Sequence, residues 1–129
     1  MDYGKAAVDT VTAFNAIQNS QDPIGDLSTA WSNQAKNLTK GSDCPRSTFL
    51  GLCTAGMVFG VPALPYTTSI KNRLYGETAV KLLKAFPPLA SLPSADIWEI
   101  ICRILKLCGV QVAVTHNYQM DIVLGLWRA

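Results

Sequence analysis

The sequence predicts a mainly α-helical fold, a compact bundle of about six helices forming one globular domain over residues 1–129. Apolar residues recur at three- and four-residue spacing, and polar caps, prolines and glycines separate these stretches. Hydrophobic residues make up 49% of the 129 residues and charged residues only 16%, whereas disordered chains show the reverse balance. The net charge of +2 is too small to indicate a nucleic-acid or membrane partner by itself.

The first two helices are predicted from apolar spacing and from one start signal. Apolar side chains from Tyr3 to Ile17 form one stripe, which predicts an amphipathic helix over residues 3–19. Asp22-Pro23 supplies an N-cap acceptor and a proline at the first helical position. We therefore expect a second helix to run to about Leu38.

The third helix follows a predicted turn at residues 41–43. Asp43-Cys44-Pro45 is again a cap followed by proline, and it opens a short helix that Gly56 is expected to end. The next segment, residues 57–66, is predicted to be extended and rich in turns. Residues 47–70 carry no formal charge, but their glycines and prolines interrupt any bilayer-spanning helix, so we interpret them as buried core.

The fourth and fifth helices are bounded by clear local signals. A hydroxyl residue within 67–69 caps the fourth helix, which runs to Phe86 because Pro87-Pro88 stops it. The fifth helix begins near Ser94 and runs to Gly109.

The end of the chain predicts a short strand and a last helix. Valines alternate with other residues over 110–114, which is typical of a strand, and residues 57–61 are its expected partner in a small two-stranded β element. Thr115 or Asn117 is then expected to cap the sixth helix.

Two polar helix starts, residues 44–48 and 67–73, form the first candidate site. Helix N-termini carry unsatisfied N–H groups and favour acidic neighbours, yet these starts carry basic residues. This pattern indicates a site for an anion, a phosphate backbone or an acidic protein partner. The candidate binding residues are Arg46, Ser47, Thr48, Tyr66, Thr68, Ser69, Lys71, Asn72, Arg73, His116 and Asn117.

Solvated charge is the alternative interpretation of these basic residues. Arg73 and Lys81 each lie four residues from Glu77, which is the spacing of ion pairs along one helix. The pattern alone favours this second interpretation.

A winged helix-turn-helix is the second candidate. Residues 27–38 and 45–55 would be the helix pair and the β element the wing. A DNA-reading helix should present Arg, Asn, Gln or Ser. Residues 45–55, which would be the DNA-reading helix of this pair, offer little beyond Arg46 and a few hydroxyl groups. The basic residues available for nucleic acid are Arg46, Lys71, Arg73, Lys81 and Lys84.

Catalysis is the third candidate, and it depends on few groups. His116 is the only histidine, and Cys44 is the thiol best placed as a nucleophile because it lies at a helix start beside Arg46. Asp121 could orient the imidazole, but no signature links these residues. Structural roles are favoured; His116 would then help to cap the last helix.

The cysteines and the N-terminus favour an intracellular protein without a metal. The first residues show no signal-peptide pattern, so we expect a cytoplasmic location and free thiols at all four cysteines. Their spacing lacks the close pairs of a zinc site, and no phosphate-binding glycine loop is present, so no metal and no cofactor are predicted.

Several segments together resemble a family of small uncharacterised bacterial proteins, a domain of unknown function. They are Tyr3-Gly4-Lys5-Ala6-Ala7, Cys44-Pro45-Arg46 with Leu50-Gly51-Leu52-Cys53, Tyr66-Thr67 before Asn72, and the closing His116-Asn117-Tyr118-Gln119-Met120-Asp121 helix. The resemblance implies a cytoplasmic bacterial domain and brings no activity with it. Residues 97–114 are more apolar than that pattern, which leaves room for an oligomer or partner surface.

The leading functional hypothesis is a non-catalytic intracellular module that binds a protein partner, as an antitoxin or immunity protein does. It depends on small size, high apolar content and few acid–base groups, and an exposed patch on residues 97–108 would mark the interface. A nucleic-acid-binding domain is the alternative, and an enzyme using Cys44 or His116 comes third. A homo-oligomer is compatible with each of them.

Overall fold

The computed structural model describes residues 2–38, 43–113 and 115–129, and these contain six α-helices and one 3-10 helix. In chain order they are α1 Tyr3–Asn15, α2 Pro23–Ala35, α3 Asp43–Thr54, α4 Ile70–Ala85, the 3-10 helix Pro87–Ser91, α5 Ser94–Leu107 and α6 Gln119–Arg128. The mainly helical class predicted from the apolar spacing is therefore confirmed.

The last helix, α6, lies at the centre of the fold. It packs against α1, α3, α4 and α5, and Met120, Ile122, Val123 and Leu124 are all buried there. The three successive buried positions 122–124 exceed one amphipathic face, as expected of a helix covered on several sides.

The other two main contacts join α1 to α2 and α3 to α4. Trp31 of α2 stacks on Tyr3 of α1 with 6.3 Å between ring centroids and on Phe49 of α3 with 5.2 Å. All three rings are buried. This aromatic stack ties the periphery of the bundle to its centre.

Some local start and stop signals act where the sequence places them, but Ser69, in the N-cap position of α4, makes no side-chain cap hydrogen bond. The Asp22 carboxylate accepts a hydrogen bond from the Gly25 N–H (3.1 Å), so it caps α2 as predicted. Gly56 has φ +74° just after α3, and only glycine adopts this conformation without strain. The fourth helix ends before Pro87, whereas α1 is shorter than predicted and ends at Asn15.

The predicted β element is wrong, since no strand occurs among the described residues. Residues 57–61 include a tight turn, in which the Val61 N–H donates to the Val58 carbonyl (3.2 Å). Residues 110–113 are irregular, and the Ala113 N–H donates to the Tyr75 hydroxyl (3.0 Å) instead of to a neighbouring strand. Val114 and the predicted turn at 41–42 lie outside the described residues.

The uncharged segment 47–70 is only partly the buried core that the sequence suggested. Val58, Val61 and Tyr66 are buried, but Phe59 is 96% exposed. None of the described helices is long and apolar enough to cross a bilayer.

Candidate functional site

The starts of three helices, α3, α4 and α6, are joined by polar side chains. The Asn117 side-chain amide, just before α6, donates to the Cys44 sulfur at the start of α3 (3.9 Å). Gln119, the first residue of α6, donates through Nε2 to Asn72 Oδ1 in the first turn of α4 (3.5 Å). Asn72 in turn donates to the Ser69 hydroxyl (3.1 Å). The polar helix starts predicted from sequence therefore do meet.

This helix-start cluster (Cys44, Ser69, Asn72, Asn117 and Gln119) consists of uncharged groups that satisfy one another. Gln119 is only 1% exposed, and its Oε1 also accepts from the Asn117 backbone N–H (2.6 Å). No buried side-chain nitrogen or oxygen of the described residues lacks a hydrogen-bond partner. The cluster therefore explains how three helix starts are held together.

The basic residues around the cluster point to other partners. Arg46 Nη2 donates to the Ser28 hydroxyl of α2 (3.2 Å), and Arg73 pairs with Glu77 (2.7 Å), as the helical spacing predicted. Lys71 is exposed. The predicted anion or acidic-partner site at these residues stays a prediction.

The remaining predicted site residues have mainly structural contacts. Thr48 is buried, and its hydroxyl donates to the Cys44 carbonyl (2.8 Å). The Tyr66 hydroxyl donates to the Pro62 carbonyl (2.7 Å), and the Tyr66 backbone N–H donates to the Thr54 hydroxyl. Ser47 is half-buried and Thr68 is exposed. The sequence missed Gln119, because a glutamine at a helix start carries no signal of a partner far along the chain.

His116 caps α6, which confirms the structural interpretation and replaces the predicted cap by Thr115 or Asn117. Its Nε2 accepts the Met120 backbone N–H (3.0 Å), and its ring packs on Trp98 with 5.3 Å between centroids. The residue in the N-cap position is Tyr118, at φ 65°. This left-handed conformation costs a non-glycine residue about 1 kcal/mol, and contact with the Tyr3 ring (5.2 Å) offsets it.

The capping role predicts a pH-dependent stability. Burial lowers the pKa of His116 below its ordinary 6.5, and the charge of Asp121 opposes this only in part. Below pH 6.5 the unfolded chain therefore binds a proton that the folded cap resists. Above pH 6.5 we expect the protonation of His116 to have no effect on the free energy of unfolding. The free energy of unfolding should then fall as the pH drops from 6.5 toward the lowered pKa.

Thermal unfolding of the wild type and of His116→Asn between pH 8 and pH 5 tests this, since asparagine keeps an acceptor that does not titrate near neutral pH. The wild type should lose more stability on acidification than the variant. Parallel pH profiles would contradict the neutral cap.

The four cysteines are free, as predicted. Burial raises the pKa of the Cys53 thiol to about 12, so this thiol is unreactive near neutral pH. Burial also raises the pKa of Cys102. Cys44 is half-buried beside Asn117, and no hydrogen bond joins it to His116 among the described contacts. The described residues contain no group of three metal-ligating side chains.

A different surface lies at the opposite ends of the same helices, where Phe59 occupies the corner of a turn. Val58 and Val61 on either side are buried, and Gly60 has φ +81° as the third residue of a type II turn requires. The backbone at Gly60 lies so close to Asn15 of α1 that a Cβ atom would be 2.5 Å from its Nδ2. The turn is therefore fixed, and it projects the phenyl ring into solvent.

A mainly apolar cleft adjoins this ring, and a second cleft lies beside the first. One, of about 340 Å³, lies between α1 and the turn, and Phe59 and Val11 line it; the other, of about 130 Å³, lies between α3, α4 and α6 beside Trp127. Met57 and Leu126 line both clefts, so the two clefts lie side by side. The Phe59 surface, as we call it, comprises Val8, Val11, Met57, Phe59, Leu126 and Trp127.

The fifth helix buries one apolar face and leaves another partly open to solvent. Its apolar residues Ile97, Trp98, Ile101 and Leu105 are buried. Only Leu107, at its end, is strongly exposed (89%). Ile100 and Ile104, which share a helix face with Leu107, are half-buried and lie outside the core, so an interface patch on residues 97–108 stays a prediction.

The geometry thus defines an all-α protein with a helix-start cluster at one end of the bundle and an exposed apolar surface at the other. A model of a family of unknown function, DUF6979, matches residues 1–129, and the chain belongs to this family. No curated protein and no solved structure matches the chain.

Proposed function

We propose that this chain is a non-catalytic module that binds a protein partner through the Phe59 surface. The observation that carries the proposal is the 96% exposure of Phe59 on a turn whose flanking valines are buried. Exposed turns usually carry polar residues, glycine or proline at this position. An exposed aromatic ring beside a mainly apolar cleft is typical of a binding surface.

The fixed turn makes Phe59 an efficient anchor. A side chain on a mobile loop loses conformational entropy when it binds, whereas the Val58–Val61 turn is already ordered in the free chain. Complete burial of a phenylalanine contributes about 2 kcal/mol from the hydrophobic effect. Met57 next to it adds a flexible apolar side chain that adapts to a partner's shape.

Two features of the titratable groups support binding over catalysis. Nε2 of His116, the single histidine, is occupied by the Met120 N–H. Asp121, the candidate orienting carboxylate, accepts a hydrogen bond from the Ser94 hydroxyl. In this proposal the protein is an inhibitor of the antitoxin or immunity type in the bacterial cytoplasm.

Site-specific crosslinking tests the proposal. Benzoylphenylalanine, a photo-crosslinking amino acid, is placed at position 59 or, as control, at position 107, where Leu107 is also almost fully exposed. After irradiation in the host's lysate, we expect one discrete protein adduct from position 59 and none from position 107. Equal yields from both positions, or no adduct from position 59, would refute the proposal.

Nucleic-acid binding is the second candidate, and the charge of α4 favours it. Lys71, Arg73, Lys81 and Lys84 all lie on this helix, and only Arg73 takes part in a described salt bridge. The predicted wing of the winged helix-turn-helix form is absent from the described residues, so the candidate depends on the basic residues of α4. Co-purifying material that absorbs at 260 nm and is released by salt would favour this candidate.

A further inference from the structure

We infer that the partner presents an amphipathic helix with an acidic flank, and that this helix seats along the two adjacent clefts of the Phe59 surface with its acidic side toward Lys84. The inference rests on the proposed function and adds the chemistry of the partner. The shape of the Phe59 surface and the charge beside it are two separate arguments for this inference.

The shape of the surface fits a row of anchors on one helix. The clefts of about 340 Å³ and 130 Å³ lie side by side, and Met57 and Leu126 line both. An amphipathic helix presents large apolar side chains at successive turns along one face, and such a row fills adjoining clefts in a groove. The exposed Phe59 ring forms a wall of the larger cleft and covers the side of the seated helix.

The charge of the surface selects the flank of that helix. Lys84 lines the smaller cleft, and Lys81 lies one turn earlier on α4. Neither lysine forms a described salt bridge, and no aspartate or glutamate of the described residues lines either cleft. Helix α4 as a whole carries four basic residues and one acidic residue. Carboxylates on the partner would meet uncompensated positive charge here, while lysines would be repelled.

Binding of two synthetic peptides tests the inference. The first is a labelled helix of about 20 residues with leucines along one face and glutamates along one flank; the second has lysine in place of every glutamate. Fluorescence anisotropy with the full-length chain should show the acidic peptide binding about tenfold more tightly at low salt, and the preference should shrink as salt is added. The variant Lys84→Glu should reduce or reverse the preference. Phe59→Ala should weaken both peptides, and the control Leu107→Ala should change neither.

Three results would overturn the inference. The first is equal or tighter binding of the basic peptide. The second is failure of both peptides while position 59 still crosslinks a partner, and in that case the proposed function stands. The third is self-association, measured by light scattering, that Phe59→Ala abolishes, because the occupant would then be a second copy of this chain. Failure of both the peptides and the crosslink would remove the inference and the proposed function together.

Discussion

The variant Gly125→Ala is expected to lose about 3 kcal/mol of unfolding free energy. Gly125 of α6 faces Gly4 of α1, and a Cβ atom added at Gly125 would lie 2.5 Å from the Gly4 Cα and 2.8 Å from its carbonyl carbon. Both neighbours are backbone atoms, so no side chain can rotate away, and one helix must shift. The gain in helix propensity from glycine to alanine, about 1 kcal/mol, is too small to offset this.

The matched control is Gly76→Ala, at another glycine inside a helix. An added Cβ there would lie 3.0 Å from Leu52 Cδ2 and 3.2 Å from Thr48 Cγ2, which are side-chain atoms that can give way. Its stability should stay within about 1 kcal/mol of the wild type, since the helix propensity gained opposes the crowding. Urea unfolding followed by circular dichroism measures both variants. Similar urea midpoints for Gly125→Ala and Gly76→Ala would show that α1 and α6 can move apart without loss of stability.

The contact of Gly4 with Gly125 also marks the limit of what the sequence could predict. The start of α2 at Asp22-Pro23 and the end of α3 at Gly56 depend on chemistry within a few residues, and both were predicted correctly. The two glycines lie at opposite ends of the chain, and neither carries a local sign of the other. Long-range backbone contact of this kind follows only from the assembled fold.

The wrong β element has a related cause. Alternating valines make residues 110–113 suitable for a strand, but a strand needs a partner edge to satisfy its N–H and C=O groups. The intended partner, 57–61, contains Gly60 in a left-handed conformation that closes a turn. The alternation of valines indicates which side chains could share one face of a strand. It does not indicate whether a second strand is present to accept and donate the backbone hydrogen bonds.

The residues of the candidate sites also divide into those with a local sequence signature and those whose contacts depend on how the helices pack. Ser69, Asn72 and Asn117 were selected because polar residues at helix starts have a local signature, and they do meet. Their link through Gln119 depends on how α4 and α6 pack. Phe59 was assigned to the core because hydropathy cannot tell the corner of a turn from its buried flanks, and glycine spacing was the one available hint.

The second large effect is expected from Trp31→Ala, which should cost about 3–5 kcal/mol. Trp31 is 3% exposed and stacks on Tyr3 and on Phe49. Its loss leaves a cavity at the junction of three helices and also removes two aromatic contacts, each contributing about 1 kcal/mol beyond burial. Trp31→Phe should recover part of the loss, because it keeps one ring in the stack.

The contacts of α2 predict which part of the structure Trp31→Ala destabilises first. Apart from Trp31, the buried residues of α2 are only Leu27 and Ala30, and its main helix contact is with α1. We therefore expect Trp31→Ala to release α2 while the helices around α6 stay packed, as a separate opening unit. Hydrogen exchange should then accelerate over Pro23–Ala35 far more than over Gln119–Arg128.

Trp98→Ala is the matched control, since Trp98 is also buried (7% exposed) but packs between Tyr75 and His116 at the centre of the bundle. It should lower the overall stability and accelerate exchange in α5 and α6 without selecting α2. Uniform acceleration in Trp31→Ala would contradict a separate α2. Because the clefts of the Phe59 surface are lined by α1, α3, α4, α6 and the turn, release of α2 alone should leave crosslinking from position 59 intact. The same variant therefore also tests whether the binding surface is independent of α2.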